Sequence, residues 1–249
     1  MAYPEIDINQ VLLPEDVFRL YYPKLKIAFN FIPKNACSSI KNTLRFYSEG
    51  YASLDNIHND SDYLKPFLLD SDWFVLLVVR DPFDRVVSAY LDKIINPIEE
   101  NALKLVVQIY EERGLVYKKG KSVPFIYFLE WISTQPIDYL DAHWRPQSSL
   151  LRFSKYTDIF YMNKLENQWN SSKFGSVHPI VNVDLHSTSK YTHEFKDRDK
   201  LISVDGDFLY GYICTVNSFP NKNSFKTDQT LELVNLIYKD DYKFLSSIC

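Results

Sequence analysis

The chain is poor in glycine, with 6 in 249 residues against a common usage of ~7%. Few positions adopt left-handed backbone without cost, so tight loops have to be held by side chains, Pro or Asn. Cysteine is sparse too. Cys37, Cys214 and Cys249 are too few and too scattered for a disulfide framework or a zinc site, and read as three thiols in a reducing compartment. Long apolar runs are missing. The longest, FVLLVV from Phe74 to Val79, has six residues, whereas a membrane span needs about 20. The opening MAYPEIDINQVLLPED has neither a basic n-region nor an apolar h-region, so no signal peptide is expected. Basic charge is not in excess. The net charge of −4 and pI near 5.8 disfavour a general nucleic-acid binder but leave room for a local anion site. These absences predict a soluble, cytoplasmic protein with no membrane and no nucleic-acid partner.

What is present is a core. Hydrophobic residues make up 46% and aromatics 16%, enough for one sizeable domain at this length. No repeat, low-complexity tract or linker interrupts the chain, so residues 1–249 are expected to form a single domain with its core at about 26–245. Strand and helix patterns alternate, which predicts an α/β fold of three layers around a central parallel sheet. KIAFNFI (Lys26 to Ile32) reads as a strand ended by Pro33, and Ser38 or Ser39 as the cap of a helix through IKNTLRFY. Trp73 to Val79 reads as a strand buried on both faces. Asp81-Pro82 reads as an N-cap and first helical residue before FDRVVSAYLDKI. Further helices are expected from Ile98 to Arg113, ended by Gly114, from Val123 to Ile132, and from Asp228 to Leu245. Ile159 to Met162 reads as a strand, and Val177 to Asn223 as loop-rich.

Two segments carry chemistry. FNFIPKNACSSIKNTL places Lys34 in a turn between a strand and a helix. A helix N-terminus offers unpaired N–H groups and partial positive charge to a phosphate, and Lys34, Ser38 and Ser39 add an ammonium and two hydroxyls. The turn is not a Walker A loop, since GxxxxGK[ST] is absent. The same residues also suit a corner in which Ser merely caps a helix. In VVRDPFDRVVSAY, Arg80 ends a buried strand, at the sheet edge where parallel α/β folds bind ligands. Ser88 follows eight residues later. A guanidinium fork and a hydroxyl suit a phosphate, although Arg80 paired to Asp84 and Ser88 as a small packing residue is an equally plain reading.

Together, IPKNACSSIKNTL and VVRDPFDRVVSAYLDK, with Arg80 46 positions after Lys34, resemble the PAPS-dependent sulfotransferase superfamily (PAPS is 3′-phosphoadenosine 5′-phosphosulfate). The likeness is strongest to the carbohydrate-sulfotransferase branch and its soluble members. It continues through DAHWRPQSSLL, through YTDIFYMNKLENQW with its strand ending in Glu166, and through YKDDYKFL. The resemblance implies a P-loop-like strand–loop–helix binding the 5′-phosphosulfate with Lys34 and the backbone of Asn35, Ala36, Cys37, Ser38 and Ser39. It implies Arg80 and Ser88 on the 3′-phosphate, with Ser189 and Lys190 from a late loop closing over it. Ala36 stands where the family has Gly, at a cost in flexibility. PAPS is then the donor, PAP (adenosine 3′,5′-bisphosphate) the product, and no metal is required.

The implied reaction is in-line sulfuryl transfer to a hydroxyl or amine of a carbohydrate or small-molecule acceptor, with Lys34 stabilising the departing bridging oxygen. A histidine suits the role of base, because its unperturbed pKa is ~6.5. His58 lies between the two donor segments, where relatives often carry theirs; His143 lies in DAHW with Asp141 close by. Each also fits a plain role, His58 as a loop residue and His143 as packing beside Trp144, and Glu166 or no protein base remains open. Trp144 is linked to the site by its HW context, whereas Trp131 and Trp169 are expected in the core. The acidic pI favours a small or neutral acceptor over a polyanionic glycan. Two other functions compete: a nucleotide-binding phosphotransferase, which needs Mg²⁺ ligands and a glycine loop, and a non-catalytic binding module on the same fold.

Overall fold

A computed structural model describes residues 18–50, 63–64, 69, 71–95, 100–118, 121–181 and 192–248. His58, Ser189 and Lys190 lie outside these. The chain divides into two compact units, one of Met1–Arg80 with Ser149–Leu185, the other of Asp81–Ser148 with His186–Cys249.

The first unit is built on a four-stranded sheet in the order β1-β2-β3-β4: β1 Arg19–Tyr22, β2 Ile27–Asn30, β3 Phe74–Val79 and β4 Asp158–Tyr161. β2, β3 and β4 run parallel, as the buried valine-rich β3 predicts, while β1 is an antiparallel edge. β1 was not expected. RLYY is too short to show a period, and it becomes a strand by pairing with β2. Side chains alternate along each strand, so Leu20, Tyr22, Ile27, Phe29, Leu76, Val78 and Phe160 share one core cluster. Helix α1, Cys37–Glu49, adds Ile40 and Leu44 from a single face, and α5, Leu165–Ser171, adds Trp169. Each such side chain contributes about 1.5–3 kcal/mol by leaving water.

The second unit is mostly helical. α2, Pro82–Ala89, begins as expected: the Asp81 carboxylate accepts from Asp84 N–H and Pro82 occupies the first turn. The helix then loosens into one π turn, Tyr90–Ile94, with Ile95 N–H bonded to Tyr90 C=O at 3.0 Å. α3, Glu100–Glu112, and α4, Phe125–Thr134, pack with it. Gly114 beyond α3 is left-handed, φ 65°. Two expectations are corrected. The stretch read as loop-rich contains α6, Arg198–Ser203, and α7, Gly206–Val216. α7 was hidden because GDFLYGYICTV mixes two glycines with apolar residues all round, leaving no clear stripe. The single C-terminal helix is instead two, α8 Asp228–Ile237 and α9 Lys239–Ser247, broken at Tyr238.

Candidate active site

The loop after β2 is shaped by the backbone. Lys34 and Ala36 are both left-handed, φ 69° and 55°, without being glycine. Successive turns of this kind fold backbone N–H groups toward one side, the arrangement of an anion-binding nest. Two long-range bonds keep the loop in this shape. Asn35, fully buried, donates from Nδ2 to Val78 C=O at 3.0 Å, and Arg80 donates from its guanidinium to Lys34 C=O at 2.7 Å. Both anchors come from the end of β3, so strand pairing fixes where the loop sits. Arg80 carries five donors, and one of them is committed to the loop.

Ala36 is the N-cap of α1 and supplies no side-chain acceptor to the first turn. The expected Ser cap is therefore corrected: the left-handed Ala36 starts the helix at Cys37, so Ser38 and Ser39 lie inside the first turn, both half-buried. Uncapped N–H groups at the head of a 13-residue helix face the same loop as Lys34. Deeper in α1, Thr43 Oγ1 donates to Ser39 C=O at 2.8 Å and accepts from Val181 N–H at 2.9 Å, which ties the helix to the segment after α5. Lys41, almost fully buried, lies 3.8 Å over the Phe31 ring. Beneath the corner, Asn30 makes four hydrogen bonds: to Phe18 C=O and Leu150 C=O, and from Arg152 N–H and Tyr156 OH.

In the second unit, Ser88 is buried on α2 between Val87 and Ala89. His143 stands in a turn where its ring Nδ1 lies 2.7 Å from Asp141 Oδ1 and its backbone N–H donates to the same oxygen at 2.8 Å. Burial pushes the Asp141 carboxyl up, but the bonds from the His143 ring and backbone, with the Lys93 ammonium beyond them, outweigh it and hold the group below its ordinary range. The ring is 31% exposed. Trp144, expected at the site, is instead core: 5% exposed and edge-on to Phe128 at 5.6 Å. Its large apolar surface outweighs the motif context. Trp131 and Trp169 are buried as expected.

The remaining candidates separate clearly. Glu166 does not end a strand; it is exposed in the first turn of α5. His178 stacks on Phe174 at 4.3 Å, and His193 Nδ1 lies 3.2 Å from Ser218 Oγ. Asn35 as a side-chain clamp, and Arg85, Tyr238 and Asp241 as supports of the His143 turn, escaped the sequence reading, because their partners lie 43 to 94 positions away. Among the described residues, no group of three or more His, Cys, Asp or Glu is placed to hold a metal. No described helix is long and apolar enough to cross a membrane.

The Sulfotransferase family model matches residues 20–246. Carbohydrate sulfotransferase 14 of Mus musculus is 25% identical over 138 residues, covering 49% of this chain and 36% of that protein. Carbohydrate sulfotransferase 14 of Danio rerio is 26% identical over 138 residues, covering 49% and 37%. The chain thus matches little more than a third of the length of these relatives. No solved structure matches it. With the family model spanning both units and the strand–loop–helix corner lying inside the match, the chain belongs to the sulfotransferase family.

Proposed function

We propose that this protein transfers a sulfuryl group from PAPS to a hydroxyl or amine of a carbohydrate or small-molecule acceptor, the whole chain acting as one catalytic domain in the cytoplasm. One observation carries the reading: an uncapped helix N-terminus behind a left-handed loop that bears Lys34 and is pinned by Asn35 and Arg80. Family membership supports the reaction class, and the names of the relatives support a carbohydrate acceptor. The Cys37 and Cys214 thiols, which form no disulfide, suit a reducing compartment.

The donor supplies an activated sulfuryl group and a bisphosphate leaving group. Backbone N–H groups from Asn35 to Ser39 hold its 5′-phosphate, and Lys34 neutralises charge on the bridging oxygen as the sulfur–oxygen bond breaks. Arg80 and Ser88 hold the 3′-phosphate, with Ser189 and Lys190 closing over it. The acceptor oxygen or nitrogen attacks sulfur in line, and its proton passes to a base, His143 or His58. Positioning dominates such a step, and no metal takes part.

Calorimetric titration with PAP tests the donor. Micromolar binding that weakens at least ~10-fold in Lys34→Ala, the loss of about one charge-assisted contact, is the expected result. No binding at high micromolar PAP overturns the proposal, and binding of ATP–Mg²⁺ instead replaces it with phosphoryl transfer. A screen of sugars and small metabolites with labelled PAPS, read by mass spectrometry, then identifies the acceptor.

A further inference from the structure

His143 stands on a turn that is held more firmly than an exposed histidine needs for packing. Three backbone carbonyls of that turn, those of Ala142, Trp144 and Arg145, each accept from a buried side chain. Arg85, 1% exposed on α2, donates to Ala142 C=O at 2.7 Å and to Arg145 C=O at 2.6 Å. Tyr238, also 1% exposed, donates its hydroxyl to Trp144 C=O at 2.7 Å. Arg145 folds back to Leu140 C=O and Asp138 C=O, both at 2.8 Å. On the far side, buried Asp241 accepts from Gln147 and Ser148 N–H at 2.9 and 2.8 Å. Buried partners thus hold the backbone of this stretch while the His143 and Asp141 side chains reach solvent.

The ring itself is not fixed by stacking: the His143 and Trp144 centroids are 6.5 Å apart and tilted by 38°. What orients it is Asp141 Oδ1 at 2.7 Å from Nδ1. An ionised carboxylate accepts and cannot donate. The proton of the neutral ring therefore sits on Nδ1, and Nε2 is left as the acceptor of a ring that reaches solvent.

We infer that Asp141 is a positioning residue that fixes the tautomer and direction of His143, so that Nε2 takes the proton of the acceptor's attacking hydroxyl or amine. This rests on the sulfuryl-transfer reading and chooses His143 over His58 within it. In the step, the acceptor oxygen or nitrogen bonds to sulfur, the sulfur–oxygen bond to PAP breaks, and the acceptor proton moves to Nε2. The ring becomes an imidazolium facing the Asp141 carboxylate. The other charged group acting on Asp141 is Lys93, from the π turn. The same turn carries Asp92, 3.8 Å from the Lys93 ammonium, so the bonds from the His143 ring and backbone contribute more than Lys93 to holding the carboxylate ionised.

Long-range nitrogen–proton correlation of the imidazoles, with His143 assigned by His143→Gln, reads the tautomer without any substrate. The wild-type protein at pH 8 is expected to show the Nδ1–H form, and Asp141→Asn to lose that preference with the amide spectrum otherwise intact. With the acceptor from the screen, Asp141→Asn is expected to lower kcat by ~10²-fold or more while KM stays within about threefold. An Nε2–H form in the wild-type protein, or near-normal turnover in Asp141→Asn, overturns the assignment. Failure to bind PAP overturns the underlying reaction instead and leaves the tautomer result standing, so the two failures are distinguishable.

Discussion

Ala36, at φ 55° and ψ 23°, occupies a backbone region that an L-residue enters at a cost of about 1–2 kcal/mol. Lys34, two residues earlier, does the same. Strain of this kind persists only where the surroundings over-determine it, and here Asn35 and Arg80 do so by holding the loop to Val78 and to itself. Replacing Ala36 by Gly relieves the steric cost but gives the unfolded chain more freedom. Ala36→Gly is therefore expected to stabilise the protein by about 0.5–1 kcal/mol, read as a rise in the urea midpoint at unchanged m-value. Lys34, Arg80 and Ser88 were visible in the sequence because their offsets and their places beside a strand or helix are local facts. The Asn35 clamp was not, because Val78 becomes its neighbour only when β2 and β3 pair.

At the scale of elements, the clearest departure is the break between α8 and α9. Leu231, Val234, Ile237 and Leu245 keep an apolar period across the whole stretch, so a continuous helix is the natural sequence expectation. Tyr238 interrupts it with φ −110° and ψ 24°. Its ring is buried, and its hydroxyl reaches Trp144 C=O in the His143 turn. Burial holds that hydroxyl far above the usual tyrosine range, which keeps it a proton donor at any working pH. Tyr238→Phe keeps the ring and removes the donor, leaving a buried carbonyl short of a partner. It is expected to cost about 1–2 kcal/mol in denaturant unfolding. The π turn after α2 is likewise tertiary: VSAYLDKI reads as plain helix, yet Ile95 N–H bonds five residues back. Where local signals are strong, as with Asp81-Pro82 at the head of α2 or FVLLVV as β3, element and expectation coincide.

For the whole molecule, each compact unit has its own core, and the family match runs through both. A donor that binds only the folded chain stabilises it by mass action, about 2.7 kcal/mol at a ligand concentration 100 times Kd. For a chain of this length that corresponds to a rise in Tm of roughly 5–10 °C. PAP at that excess is expected to produce this rise, measured by calorimetric melting, and Lys34→Ala at the same PAP concentration to show a much smaller one. By itself the sequence determined the reaction family, the strand–loop–helix corner at Lys34 and the placement of Arg80 at a strand end. These follow from residue order and hydrophobic period, which act locally. Only the tertiary structure decided that Trp144 is core, that the C-terminal helix breaks at Tyr238 and that Arg85 and Tyr238 hold the backbone of the His143 turn. Those outcomes depend on buried donors finding carbonyl groups far along the chain, and on apolar area outweighing motif context. In the Lys34 loop the two meet. The sequence supplied the charge, and the pairing of β2 with β3 supplied the clamps that hold left-handed backbone without glycine.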